Sequence, residues 1–342
     1  YTSFSTQDYL REQNEFWYPK FYEGKKRSSL EVFHDKLDLQ QFPGEDFWQA
    51  VLADYERLEE NPTKNYTSLK AKELGQKVRT KVAQKHLGDV DVYFMDHSSC
   101  HAAYAYYSQP NRTDRFLSIT LDAWGDGINY SARLYEPKEN SVDVVDVVSG
   151  GDFIIGRLYR YITLILGLKP NEHEYKVMGL APYCKPKYYE HLLVMFKQIQ
   201  DVKGLHFEYI NKPKDLFFEI RQKLYSERFD SISGGIQAYT EHLISTWISN
   251  LKQHTGVNNI CFAGGVAMNV KANMAIAKIE GLTNLHVPLT PDDTSQAIGA
   301  CYQFMHEKKQ QNASSIRSPY LGRNCNLYGE TEASNNEQII KE

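Results

Sequence analysis

The stretch from Asn259 to Glu307 constrains the fold more than any other part of the chain. Asn259-Ile-Cys-Phe262 is a buried-type strand that runs straight into Ala263-Gly264-Gly265. A helical pattern follows from about 266 to 279, then a short strand at 284–287, then a helix after Asp293 to about 307. Strand, glycine turn, helix, strand and helix in that order predict an α/β lobe, with ligands at the carboxyl ends of the strands. Bare backbone at Gly264-Gly265 can approach a nucleotide closely, and the helix N-terminus beyond it favours phosphates. Asn269 and Asn273, one turn apart on the predicted helix, are candidate polar contacts. A plain tight turn is the alternative.

Upstream the pattern differs. Residues 1–89 read as mostly helical and polar, with an aromatic packing face at Phe16, Trp17, Tyr18, Phe21 and Tyr22 and a breaker at 61–65. Residues 90–95 read as a short apolar strand, and 102–107 as a small-residue helix. Strand-like runs at 115–122, 128–136 and 142–148 are spaced like an antiparallel meander ended by Gly150-Gly151. Helices are predicted at about 156–167 and 233–254. The resulting division is 1–89, a first-lobe sheet at 90–232, a second lobe at 233–322 and a polar linker at 323–342.

Further segments carry candidate chemistry. His97 and His101, four residues apart at a helix start, share one face, so two imidazoles can meet one metal ion; two capping histidines are the alternative. Asp122 ends a strand before Gly125-Asp126-Gly127, a turn able to point N–H groups at an anion or simply to close a hairpin. Glu174 and Lys176 sit beside the apolar stretch Val177 to Tyr183, where a lysine for a phosphoryl or carbamoyl oxygen and a solvated helix end are both open. Asp293 precedes a small-residue helix as an N-cap or as a metal ligand from the second lobe.

Bulk properties exclude several classes. The 342 residues, 42% apolar, allow two domains or one large two-lobed one. A net charge of −4 provides no general field for nucleic acid, although Lys25, Lys26 and Arg27 form a local basic run. No apolar run reaches the roughly 20 residues that cross a bilayer. Five scattered cysteines without a C-x-x-C pair argue against a disulfide scaffold and for a reducing cytoplasm.

In order, DHSSCHAAYA, DAWGD, HEYKVMGLAPY, FAGGVAMNVKAN and PLTPDDTSQAIGA resemble the motifs of the O-carbamoyltransferases of nodulation and antibiotic synthesis, over roughly residues 90–322. The resemblance implies a two-lobed α/β fold of the actin, Hsp70 and sugar-kinase (ribonuclease H-like) type, its first lobe incomplete. It implies metal ligands at His97, His101, Asp122 and Asp293, with Fe, Mn or Zn all suited to the set. It implies nucleotide contacts at Gly264, Gly265, Asn269 and Asn273, to which the Gly125-Asp126-Gly127 turn adds candidate cofactor contacts. Glu174 and Lys176 would lie near the ribose or transferred group and, with His97, serve catalysis. Ser98 replaces the second histidine of the family pattern and Ala123 its first glycine after the aspartate.

The reaction so implied passes a carbamoyl group from carbamoyl adenylate, made from carbamoyl phosphate and ATP, to a hydroxyl of a small acceptor. Two family segments have no counterpart here, an opening strand with a glycine turn and a C-terminal activating domain. The expectation is therefore a chain cut at both ends, inactive alone with carbamoyl phosphate, and oligomeric or aggregation-prone. A sugar kinase or ATPase of the same fold and a non-catalytic binding module are the rivals; purified metal content separates the first, and ATP-dependent carbamoyl phosphate consumption by the whole gene product the second.

Overall fold

The computed structural model describes residues 87–126, 128–149 and 153–309, with isolated helical positions at 76, 80, 83 and 84. The expected packing face at Phe16 to Tyr22, the basic run at Lys25 to Arg27, most of the 1–89 segment, Gly127 and the 323–342 linker lie outside the described residues.

The first complete element among the described residues is α1 (His97–Ser108), capped by Asp96, whose side chain accepts the Ser99 N–H. The meander follows as β1 (Phe116–Gly125), β2 (Ile128–Glu136) and β3 (Ser141–Ser149). Next come α2 (Ile155–Ile165), α3 (Glu174–Leu180) and α4 (Glu190–Lys197), then a small hairpin of β4 (Gln200–Lys203) and β5 (His206–Tyr209). After α5 (Leu216–Lys223), the 27-residue α6 (Phe229–Thr255) leads into β6 (Asn259–Ala263), α7 (Val270–Ile276), β7 (Asn284–His286) and α8 (Gln296–Glu307).

The main sheet has five strands in the order β3-β2-β1-β6-β7. β1 pairs antiparallel with β2 and parallel with β6, and β6 pairs parallel with β7. Alternation along β1 sorts its side chains between two layers. Leu117, Ile119 and Leu121 join the large core with Trp247, Ile244 and Phe262, whereas Ser118 turns the other way and donates to the Ala102 carbonyl of α1 at 2.9 Å. The α1 layer has its own aromatic core, with Tyr106 stacked on Tyr135 and Tyr107 on Tyr302. Gly299 sets how closely α8 approaches α1, because a side chain there would collide with the Cys100 carbonyl.

The α/β class stands, and three local expectations change. Residues 90–95 form no strand; the segment has no ladder partner among the described residues, and Tyr93 is exposed. The boundary at 232/233 does not coincide with a break in the sheet, because β6 and β7 extend it from β1. The single helix expected at 266–279 is instead a 3-10 turn, Gly265–Met268, followed by α7, with Asn269 between them accepting the Ala272 N–H as N-cap. No described helix is long and apolar enough to cross a membrane.

Candidate metal centre and adjoining cleft

The carboxyl ends of β1 and β6 meet the N-terminus of α1, and the sequence places chemistry at all three. One ligand atom from each of His97, His101, Asp122 and Asp293 lies within 4.8 Å of the others. His97 Nε2 is 3.0 Å from Asp122 Oδ2 and 3.3 Å from Asp293 Oδ1. His101 Nε2 is 3.4 Å and 3.2 Å from the same two oxygens. The two Nε2 atoms are 3.2 Å apart. Ligand bonds of about 2.0–2.1 Å around one tetrahedral ion give edges of roughly 3.3 Å, so the donor set fits a divalent cation. Asp293 does not cap α8; Ser295 holds that position, and the Asp293 carboxylate faces the histidines instead.

Electrostatics favour a cation here. Burial, the strongest influence on His97, lowers its pKa, but hydrogen bonds and charge from Asp122 and Asp293 outweigh it and carry it to about 10. His101 is likewise raised by the two carboxylates against the effect of burial. Asp293 is held well below the usual carboxylate range, chiefly by its hydrogen bonds to His101 and His97. His101 is 1% exposed and Asp293 69%, so the cluster is closed on the α1 side and open on the Asp293 side. His101 Nδ1 is buried with no hydrogen-bond partner among the described residues, so no outer acceptor fixes the ring as is usual for metal-bound imidazole.

A buried polar network anchors the histidine-bearing turn. Arg133 on β2 donates to Ser98 Oγ at 3.0 Å, to Ser99 Oγ at 3.1 Å and to Ser131 Oγ. Ser98 also bonds Ser131 at 2.8 Å and Thr120 at 3.1 Å, so the serine that departs from the family pattern is fully engaged. Asp126 accepts the His97 backbone N–H at 2.9 Å, and a side chain at Gly125 would strike the His97 ring. Arg133→Met is expected to cost about 2–4 kcal/mol of stability, because it strands buried hydroxyls and removes a buried charge partner. Urea unfolding of the metal-free protein measures this; a loss under about 0.5 kcal/mol, the usual range of a surface change, would show that the network contributes little.

A cleft of about 360 Å³ opens beside the cluster, lined among others by Asp122, Ala123, Gly265, Val266, Asn269 and Asp292. Gly264 has φ 93° and donates its N–H to the Pro291 carbonyl at 2.8 Å, which ties the turn after β6 to the segment carrying Asp292 and Asp293. Asn269 lies at the wall, held by Gln237 at 2.9 Å. Asn273 is not among the lining residues; its Nδ2 donates to the Ala267 carbonyl at 2.8 Å and braces the turn from behind. Glu174 lines the cleft and its Oε1 accepts the Asn171 N–H at 2.7 Å. Lys176 does not line it and lies 5.8 Å from the Tyr175 ring centroid. Gly125 and Asp126 are not among the lining residues either and contact His97 instead. Tyr159 and Arg160 line the wall from outside every sequence motif, whereas Tyr175 and Met178 line it from within HEYKVMGLAPY without having been singled out.

Fold and site together define an α/β protein in which four side chains able to hold a metal ion stand beside a strand-to-helix glycine turn. The chain matches the family model described as Carbamoyltransferase N-terminus over residues 6–302, and it belongs to that family. An uncharacterized protein of Synechocystis sp., sll1178, is 30% identical over 253 residues, covering 67% of this chain and 40% of its own length. The nodulation protein NolNO of Sinorhizobium fredii is 27% identical over 240 residues, covering 68% of this chain and 34% of that protein. Full-length HypF in its phosphate- and nucleotide-bound form is similar at a TM-score of 0.40 with 12% identity, covering 69% of this chain and 39% of that one. The chain spans half or less of the length of the curated relatives it matches.

Proposed function

We propose that this chain is the metal- and nucleotide-binding part of an O-carbamoyltransferase that moves a carbamoyl group from carbamoyl adenylate to a hydroxyl of a small acceptor. One observation carries the reading: in a member of the carbamoyltransferase family, a two-histidine, two-aspartate donor set shares Asp122 with the wall of a cleft that is also lined by Gly265 of the glycine turn.

His97, His101, Asp122 and Asp293 would hold the ion, with Fe, Mn and Zn all suited to mixed nitrogen and oxygen donors. When bound, a divalent ion supplies Lewis acidity toward the carbamoyl oxygen or the attacking hydroxyl. In the transfer, the acceptor oxygen forms a bond to the carbamoyl carbon, the carbon–oxygen bond to the nucleotide phosphate breaks, AMP leaves with that electron pair, and the hydroxyl proton passes to solvent water. The N–H groups after Gly264 suit the leaving phosphate. Glu174, at the cleft wall, would contact the ribose or the transferred group. Lys176 would need a different side-chain position to take part. Carbamoyl phosphate and ATP would be joined elsewhere, in a C-terminal activating domain of the whole protein. Described cysteines that are all unpaired fit a cytoplasmic setting.

The test uses the full gene product with carbamoyl phosphate labelled in its carbonyl carbon, ATP and a panel of sugars and aminoglycosides. Label appearing in a carbamate ester, dependent on divalent metal and accompanied by AMP, is the expected result. Transfer of the ATP γ-phosphate to the acceptor, with no carbamate, would replace this reading with a kinase.

A further inference from the structure

We propose that Arg160 is the phosphate-binding residue of the cleft. The proposal rests on the reading that a nucleotide occupies this cleft, and it assigns the anion contact to a side chain that no motif contains.

The cleft wall carries four carboxylates and one guanidinium, that of Arg160. Asp122 faces His97 and His101. Glu172 forms an ion pair with Lys169, and Glu174 accepts the Asn171 N–H. Asp292 accepts the Thr294 hydroxyl at 2.5 Å. Arg160 differs: half-buried on α2, it has no carboxylate within salt-bridge distance among the described residues. Its side chain hydrogen-bonds that of Tyr161, and its guanidinium carbon lies 5.6 Å from the centroid of the same ring, so its partner is neutral and leaves the charge unbalanced. A partly desolvated guanidinium without an anion is costly, and its planar fork of donors matches a phosphate in two parallel hydrogen bonds. Tyr159, one residue earlier, reaches the same wall and bonds Gln237, which in turn holds Asn269. Helix α2 thus delivers a fixed polar network and a cation without a carboxylate partner to one cleft. Phosphate on a nucleotide and phosphate on an acceptor share this chemistry, and the probes separate them.

Metal-loaded protein and its Arg160→Gln and Arg160→Lys variants are titrated calorimetrically with AMP, adenosine and inorganic phosphate, with circular dichroism as the folding control. Arg160→Gln is expected to weaken AMP and phosphate about 10- to 100-fold, as for loss of a charge-assisted bidentate contact, and to leave adenosine unchanged. Arg160→Lys should fall between the parent and the glutamine variant for both anions. Equal loss of AMP and adenosine, or unchanged AMP and phosphate, overturns the proposal. If the parent binds phosphate through Arg160 but neither AMP nor adenosine, the nucleotide reading fails and Arg160 stands as the contact for an acceptor phosphate. If the parent binds none of the three, both fail. Should the glutamine variant not fold, the lysine variant decides: anion affinities equal to the parent overturn the proposal, and a drop confined to AMP and phosphate supports it.

Discussion

His101→Ala is expected to lose nearly all bound metal while keeping the fold. His101 sits at the closed side of the donor set, and its Nε2 lies 3.2 Å from both His97 Nε2 and Asp293 Oδ1. Alanine leaves three donors and a small void. Since outer-shell changes alone weaken metal sites about 10- to 100-fold, loss of an inner ligand should exceed about 100-fold. The void itself should cost only about 1–3 kcal/mol, in the lower range of core truncations. Elemental analysis after dialysis, paired with a thermal melt, reads the two effects separately. Equal metal in variant and parent would place the ion somewhere else.

Two neighbouring glycines should behave very differently. Gly264→Val is expected to cost about 3–5 kcal/mol, because the backbone is left-handed there and the added carbon would run into the Leu121 carbonyl of β1. For a protein of ordinary stability that removes much of the folded population. Gly265→Val meets only the Asp122 carboxylate, at 3.3 Å, and should fold. Its branched side chain would project at the cleft wall beside Asp122, so AMP binding should fall at least about tenfold, a typical cost of a forced overpacking. Chemical unfolding and calorimetry distinguish the two. Unchanged AMP affinity in a folded Gly265→Val protein would refute the placement of the nucleotide at this turn.

The position of each acid and imidazole along the chain was legible in different degrees. His97 and His101 could be paired from a four-residue spacing, because both lie in one helical turn and α1 starts where Asp96 caps it. The glycine turn after β6 was legible for the same local reason. Asp293 was ambiguous from its surroundings alone, since an acid before a helix reads equally as a cap. Its role depends on lying against His101, 192 residues away in the chain.

The amino-acid sequence by itself determined the three-strand meander, the strand and glycine turn at β6, the α/β class and the two histidines on one face, because these follow from contacts between residues a few positions apart. Only the tertiary structure decided that β6 pairs with β1, which brings the turn at Gly264 beside Asp122. It also decided that Arg160 and Tyr175 face the cleft, that Lys176 and Asn273 do not, and that Arg133 reaches the first turn of α1 from β2. Those outcomes depend on which strands become neighbours and in what register, a balance of burial and hydrogen bonding summed over the whole sheet that no local spacing encodes.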